Sequence, residues 1–543
     1  MRVPACVLMV LIGHAVSAAE PCPPVRFALI APPFEATQDV STAALAAAWR
    51  EGRVAASQAT SGVLDRVLGA RGTAPEIAVP DATHWAIVPA HELSPRWAVI
   101  TVDGAHPLVG EGPLALCVPG AGHTIDASKL TTVVMSGTTA LTGRTAKRID
   151  SHGVADLVRW IKPFFASADV VHLSNEVSFV RDCKPETGQD GPFVFCARDR
   201  YVELLEALRA TVIELTGSHL LDYGSRSLLR TLRMYEARGI RWFGGGRTQL
   251  EATEPVVIEH HGNKLAFVGC NAVNWWIKAI SQGPGTANCD WPRMVWQIRD
   301  LKRRGYTPIA TVQHREVRVH TPPPDLVRDL RRLAEAGAVF VEGSQAHVAH
   351  PWDVHYGAYV HYGPGNILFA QYRDRQREAT VDKLYIHDGK LLTVEHIYTR
   401  TEHGQPRLLT AKERARFLGA LAAAAGQLEP AAPAAVPPLA AATRVRPDSV
   451  VVRGRAQHLS VIAPARVEPG ATYRLIVDLA LTAGAPADAF VVHRTGRVLA
   501  SGEQIAAYMR AKYPVDAAML TITLDPEKVV PARKKRRTRL ARS

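Results

Sequence analysis

Between residues 131 and 371 the chain repeats one pattern: a short apolar run, long enough for a buried strand, ends in a cluster of polar residues. Thr131–Met135 runs into Ser136-Gly137-Thr138-Thr139, Val170–Leu173 into Ser174-Asn175-Glu176, and Thr211–Leu215 into Thr216-Gly217-Ser218-His219. Leu265–Val268 leads to Gly269-Cys270-Asn271, and Ile309–Val312 to Gln313-His314-Arg315-Glu316. Ala338–Val341 leads to Glu342-Gly343-Ser344-Gln345-Ala346-His347, and Tyr359–Tyr362 to Gly363-Pro364-Gly365-Asn366. Between these runs, Ser225–Arg238 and Asp325–Ala336 place apolar residues three and four apart, the helical period. Strands alternating with helices predict a sheet covered on both faces, whose ligands sit beyond the carboxyl ends of the strands. Here that edge is rich in His, Glu, Gln and Asn.

The rest of the chain divides around this segment. Residues 24–128 read as an N-terminal α/β flanking domain, with strands at Val25–Ile30, Trp85–Val88 and Trp97–Val102 and helices at Thr42–Arg50 and Gln58–Leu68. The central α/β domain is expected over 130–425. It closes with a hairpin around Gly389 (Lys383–His387 and Leu391–His396) and a helix at Thr410–Ala424. A Pro/Ala linker follows at 428–442. Alternating β-branched runs over 443–530 predict a small β-rich accessory domain, and 531–543 form a basic tail.

The first 19 residues read as a signal peptide: Arg2, an apolar stretch over Val3–Val16, and a small-residue cleavage site with the cut after Ala18 or Ala19. The stretch is short for a membrane span, which needs about 20 residues; an uncleaved anchor is the alternative. Secretion to the periplasm or cell surface is the expectation. Six cysteines remain after the leader, an even number that favours disulfides in an exported chain. Proximity and domain assignment favour Cys22–Cys117, Cys183–Cys196 and Cys270–Cys289 among the 15 pairings six cysteines allow. The net charge of +13 is uneven, because seven Lys and Arg fall in the last eleven residues. That tail could touch anionic lipid or an anionic wall polymer, or be a plain solvated arm. No RNA- or DNA-reading motif accompanies it, so no nucleic-acid partner is expected.

Divalent metal sites in exported hydrolases gather His, Asp, Glu, Asn and Gln from several loops. The strand-end residues suit that chemistry: Glu176, then His219 and Asp222 one helical turn apart, then Gln313, His314 and Glu316, then Gln345, His347 and His350. Each also has a structural reading. Asp222 could cap a helix, Glu176 could pair with Arg144 or Arg181, and Glu316 could form a surface ion pair with Arg315 or Arg318.

These segments resemble the CapA (poly-γ-glutamate capsule biosynthesis) family, whose domain is similar to the calcineurin-like metallophosphoesterases. Ser174-Asn175-Glu176 resembles the family's Asn-Leu-Glu element, and Thr216–Gly224 its Asn-Asn-His-x-x-Asp-Tyr-Gly element. Gln313-His314-Arg315-Glu316 matches its His-Trp-Gly-x-Glu element in position. Gly343-Ser344-Gln345-Ala346-His347 resembles Gly-His-His-Pro-His, and Tyr362-Gly363-Pro364-Gly365-Asn366 resembles Ser-Leu-Gly-Asn-Phe. The resemblance does not reach 443–543. It implies a metallophosphoesterase-like layered α/β domain and a divalent metal (Mn, Fe or Zn) held by Glu176, His219, Glu316 and His347. Asp222 would orient His219, and Gln313 and Gln345 would orient substrate.

Three departures qualify that picture. The family's first strand ends in Gly-Asp, giving a bridging carboxylate, whereas Ser136-Gly137-Thr138-Thr139 has none. Ser218 stands where the family has Asn, and Gln345 where it has the first His. A single-metal site is therefore expected in place of a two-metal one. Two functions stay open: a metal-dependent hydrolase or transferase acting on a phosphoester or amide of a surface polymer, and a non-catalytic polymer-binding or assembly subunit. The partners implied are an anionic surface polymer or its precursor and a capsule-synthesis membrane complex.

Overall fold

The computed structural model describes residues 24–69, 80, 84–110, 112–117, 125–184, 194–273, 275–371 and 373–428, together with strands at 456–462, 473–481, 492–494, 497–499 and 520–524. Two compact units emerge. The first comprises Met1–Asp290 and Gly305–Leu428, and the second Trp291–Arg304 and Glu429–Ser543.

In the first unit the apolar runs become the strands of two sheets, not one. Leu130–Ser136, Val170–Asn175, Val212–Glu214 and Arg241–Phe243 pair in parallel. The antiparallel strands Glu378–His387, Lys390–Glu402 and Gln405–Leu408 extend that sheet from Leu130–Ser136. The second sheet runs Val256–His260, Asn263–Asn271, Thr307–Gln313, Phe340–Glu342, Ala358–His361 and Trp352–His355. Its four middle strands are parallel. Hydrophobic spacing predicts the strands but not their partners, and so could not divide them between sheets.

The two sheets share a core. Val133, Val170 and Val212 of the first meet Phe267, Ile309, Phe340 and Tyr359 of the second. Alternate residues Val134, Val171, Leu173 and Ile213 point the other way, into a core with helices Gly143–Val158, Glu203–Ala207 and Gly224–Glu236. This is the period-two alternation of a strand buried on both faces. Helix Ala411–Ala425 begins with a capping box, in which Thr410 and Glu413 exchange hydrogen bonds.

The first block folds as a six-stranded sheet with helices Thr42–Arg50 and Gln58–Val67. It shares a core with the hairpin, where Ala28 and Ile30 pack with Tyr385 and Leu392. In the second unit, Ala456–Ile462, Tyr473–Leu481 and Leu520–Leu524 form one sheet, and Val492–Arg494 pairs with Arg497–Leu499.

Two of the three expected disulfides are formed, Cys183–Cys196 and Cys270–Cys289. Cys22–Cys117 involves side chains outside the described residues. The segments expected to be a signal peptide, a linker and a basic tail also lie outside them. No helix among the described residues is long and apolar enough to cross a membrane. The second bridge holds the turn after Asn271, with a sequence separation of 19. Replacing both Cys270 and Cys289 by Ser should cost about 3 kcal/mol of unfolding free energy by loop-closure entropy. A urea titration that leaves the midpoint unmoved would contradict that role.

Candidate metal centre at the strand edge

His347, at one strand end, faces the carboxylates of Glu176 and Glu316 from two others, and His219 lies within electrostatic reach of both carboxylates. His347 Nε2 lies 3.8 Å from Glu176 Oε1 and 3.6 Å from Glu316 Oε2. Glu176 follows the Val170–Asn175 strand and is fully buried; Ser218 donates to its Oε1 at 3.3 Å, and its Oε2 has no donor among the protein's atoms. Glu316 is the exposed member, its side chain 43% accessible, so the cluster opens to solvent on that side.

The close approach of these loops depends on glycine at two points. A Cβ on Gly217 would stand 2.5 Å from the Glu176 Cα, and one on Gly343 would stand 2.2 Å from the Tyr362 carbonyl oxygen. Only a residue without a side chain lets the backbones pass so closely.

Both imidazoles are fixed through Nδ1. His219 Nδ1–H donates to Asp222 Oδ2 at 2.7 Å, and Asp222 also accepts from the Phe195 amide at 2.7 Å. His347 Nδ1–H donates to Asn366 Oδ1 at 2.9 Å, and Asn366 is held in turn by Gln371 and the Gln376 carbonyl. Such outer partners fix the tautomer and aim Nε2 at the site. Asn366 sits in the quoted Tyr362–Asn366 element, yet sequence reasoning gave it no role; its place in that element is the signal that could have found it. Phe195 and Phe369 wall the site, with ring centroids 4.5 Å from His219 and 5.3 Å from His347.

The charges reinforce one another. Burial pushes the Glu176 carboxyl upward, while the His347 and His219 imidazoles pull against it. Burial draws His347 down, but the carboxylates of Glu316 and Glu176 and the Asn366 bond outweigh it and raise its proton affinity. For His219, burial is likewise outweighed, by the Asp222 bond and the charges of Glu176, Asp222 and Glu316. Two imidazoles that bind protons tightly between two carboxylates form a place built for positive charge.

The remaining candidates are placed differently. Gln313 is buried and its Oε1 accepts from Asn271 at 2.9 Å. Gln345 is buried and donates to Ser174 Oγ. His314 Nε2 faces Asp329 of helix Pro324–Glu335 at 3.3 Å, and His350 Nδ1–H donates to the His320 carbonyl. Arg315 pairs with Asp325 at 2.7 Å. Ser136-Gly137-Thr138-Thr139 lies buried against the Asn366–Leu368 strand and brings no carboxylate.

The sequence profile described as "Bacterial capsule synthesis protein PGA_cap" matches residues 132–371. The capsule biosynthesis protein CapA of Bacillus anthracis is 21% identical over 276 residues, covering 50% of this chain and 67% of that protein. The PGA biosynthesis protein CapA of Bacillus subtilis is 24% identical over 251 residues, covering 45% of this chain and 65% of that protein. A probable polyglutamine synthesis accessory protein of Mycobacterium tuberculosis is 25% identical over 221 residues, covering 37% and 56%. The chain thus spans about two thirds or less of the length of these relatives. Among solved structures, the 5'-nucleotidase precursor from Thermus thermophilus aligns with a TM-score of 0.32 at 14% identity, covering 60% of this chain and 62% of that one. The NAD nucleotidase of Haemophilus influenzae aligns at 0.31 and 10%, covering 54% and 56%. Both are too distant to carry chemistry across. The five motif elements and the profile coincide over the same residues, so that residues 132–371 are similar to the bacterial capsule synthesis protein family.

Proposed function

We propose that this chain is an exported protein of capsule or surface-polymer biosynthesis, acting on a poly-γ-glutamate-type anionic polymer or its precursor through a single-metal hydrolase or transferase site. The observation that carries the reading is His347 set between Glu176 and Glu316, with His219 in electrostatic reach of both and one buried Glu176 oxygen lacking any donor. Two carboxylates and two imidazoles suit Mn, Fe or Zn. A bound ion of this kind supplies Lewis acidity and an activated water near neutral pH. Asp222 and Asn366 hold the two imidazoles through Nδ1, which leaves each Nε2 free to ligate. Exposed Glu316 marks the side open to solvent, from which a polymer would enter. Gln313 and Gln345 are the proposed substrate-orienting amides. The two disulfides support export, because such bonds persist in oxidising compartments. A capsule-synthesis membrane complex is the proposed partner.

The test is turnover by the full chain loaded with Mn(II), Fe(II) or Zn(II), using poly-γ-glutamate, γ-glutamyl amides and phosphoesters as substrates. New amine ends or released phosphate, lost in Glu176→Gln, are expected. Polymer binding with no turnover under any ion would overturn the catalytic reading in favour of an assembly subunit.

A further inference from the structure

The interior of the sandwich holds a second polar cluster, separate from the strand-edge residues. On several strands the inward face carries an apolar residue and then, two positions nearer the same edge, an ionisable one: Val170 and His172, Val212 and Glu214, Phe340 and Glu342, Tyr359 and His361, Leu384 and Asp382. All five of these ionisable residues are 0% exposed. Three carboxylates in a space closed to water would be prohibitively costly without compensation.

Two of the three carboxylates are compensated by the protein. Glu214 Oε1 accepts from Thr216 and Ser344 at 2.5 Å each, and its Oε2 stands 3.4 Å from His172 Nε2. Asp382 accepts from His361 Nδ1 and, at 2.9 Å, from His396 Nδ1, and Tyr359 donates to the far nitrogen of His396. Glu342 is the exception. Neither of its oxygens has a donor among the protein's atoms, yet it is aimed into the cluster, with ligand atoms of Glu342, His361 and Asp382 all within 4.8 Å of one another. A buried carboxylate needs a donor or a cation.

We propose that Glu342, His361 and Asp382 form a second, structural metal site that binds one divalent transition-metal ion between the two sheets. The donor set is two carboxylates and an imidazole, suited to Mn, Fe or Zn. His396 and Tyr359 supply the outer hydrogen bonds that orient Asp382. Glu342 and His361 are register partners on adjacent parallel strands, and Asp382 comes from the other sheet, so the ion ties the sheets together. Because the cluster is sealed, the ion enters as the chain folds.

The test uses the full chain, expressed in medium supplemented with Mn(II), Fe(II) and Zn(II) and purified without chelator. Metal is counted by plasma mass spectrometry in a His219→Ala/His347→Ala protein, where the strand-edge site is disabled. About one ion per chain is expected to remain there, and adding Glu342→Gln is expected to remove it. The urea midpoint of the double variant, measured by equilibrium unfolding and refolding, is expected to rise with added Zn(II). No ion in the double variant, no rise in that midpoint, or an ion that survives Glu342→Gln would each overturn the proposal. The last result would leave Glu342 as a buried protonated acid.

Discussion

Replacing His347 with alanine is expected to weaken metal binding at the strand edge by more than about 100-fold, since losing an outer partner alone typically costs about 10–100-fold. Asn366→Ala, which frees the His347 ring but leaves the ligand, should fall within that smaller range. Both imidazoles hold protons more tightly than usual, so the ion must displace them, and affinity should rise with pH. Competition against a chromophoric chelator at several pH values measures all three effects. An alanine variant that binds as the parent does would make His347 a structural histidine.

Acid should destabilise the fold well before its carboxylates are protonated. His106 lies against Tyr385 with ring centroids 4.1 Å apart, and burial pulls its pKa from the ordinary 6.5 down to about 4, with Lys383 assisting and Glu395 opposing. His350 is likewise pulled down to about 4, chiefly by burial and against its bond to the His320 carbonyl. Both are neutral in the folded protein at pH 6, where the unfolded chain already binds their protons. Their contribution is therefore full above about pH 6.5 and is lost as pH falls toward 4. Each imidazole accounts for about 3 kcal/mol across that window. Urea midpoints at pH 7.5, 6, 5 and 4.5 should fall steadily. In His106→Phe, which keeps the stack on Tyr385, the slope should shrink by that residue's share. A parent midpoint that is flat from pH 7 to 4.5 would refute this account.

Much of the architecture could be read from the chain because strand ends and helix stripes are local signals. Val170–Leu173 and Ser225–Arg238 lie on the observed Val170–Asn175 strand and Gly224–Glu236 helix within a few residues. Residue type at those ends and the resemblance point to Glu176, His219, Glu316 and His347, and in the fold His347 lies 3.8 Å from Glu176 and 3.6 Å from Glu316. What could not be read depends on register. Gln313 and His314 are equivalent in sequence; pairing with Asn271 turns the first inward, while the second turns to Asp329. In the sequence Glu342 is one more polar strand end. Only the pairing of Glu342 with His361, and of two sheets face to face, buries it beside Asp382.

The most direct test of the central claim is the metal content of the purified protein and of its His219→Ala/His347→Ala variant, by plasma mass spectrometry after loading with Mn(II), Fe(II) or Zn(II). The account predicts that the variant holds one ion per chain fewer than the parent, whatever the interior site retains. Equal content in the two proteins, or a parent that takes up no ion, would contradict a metal centre at the strand edge.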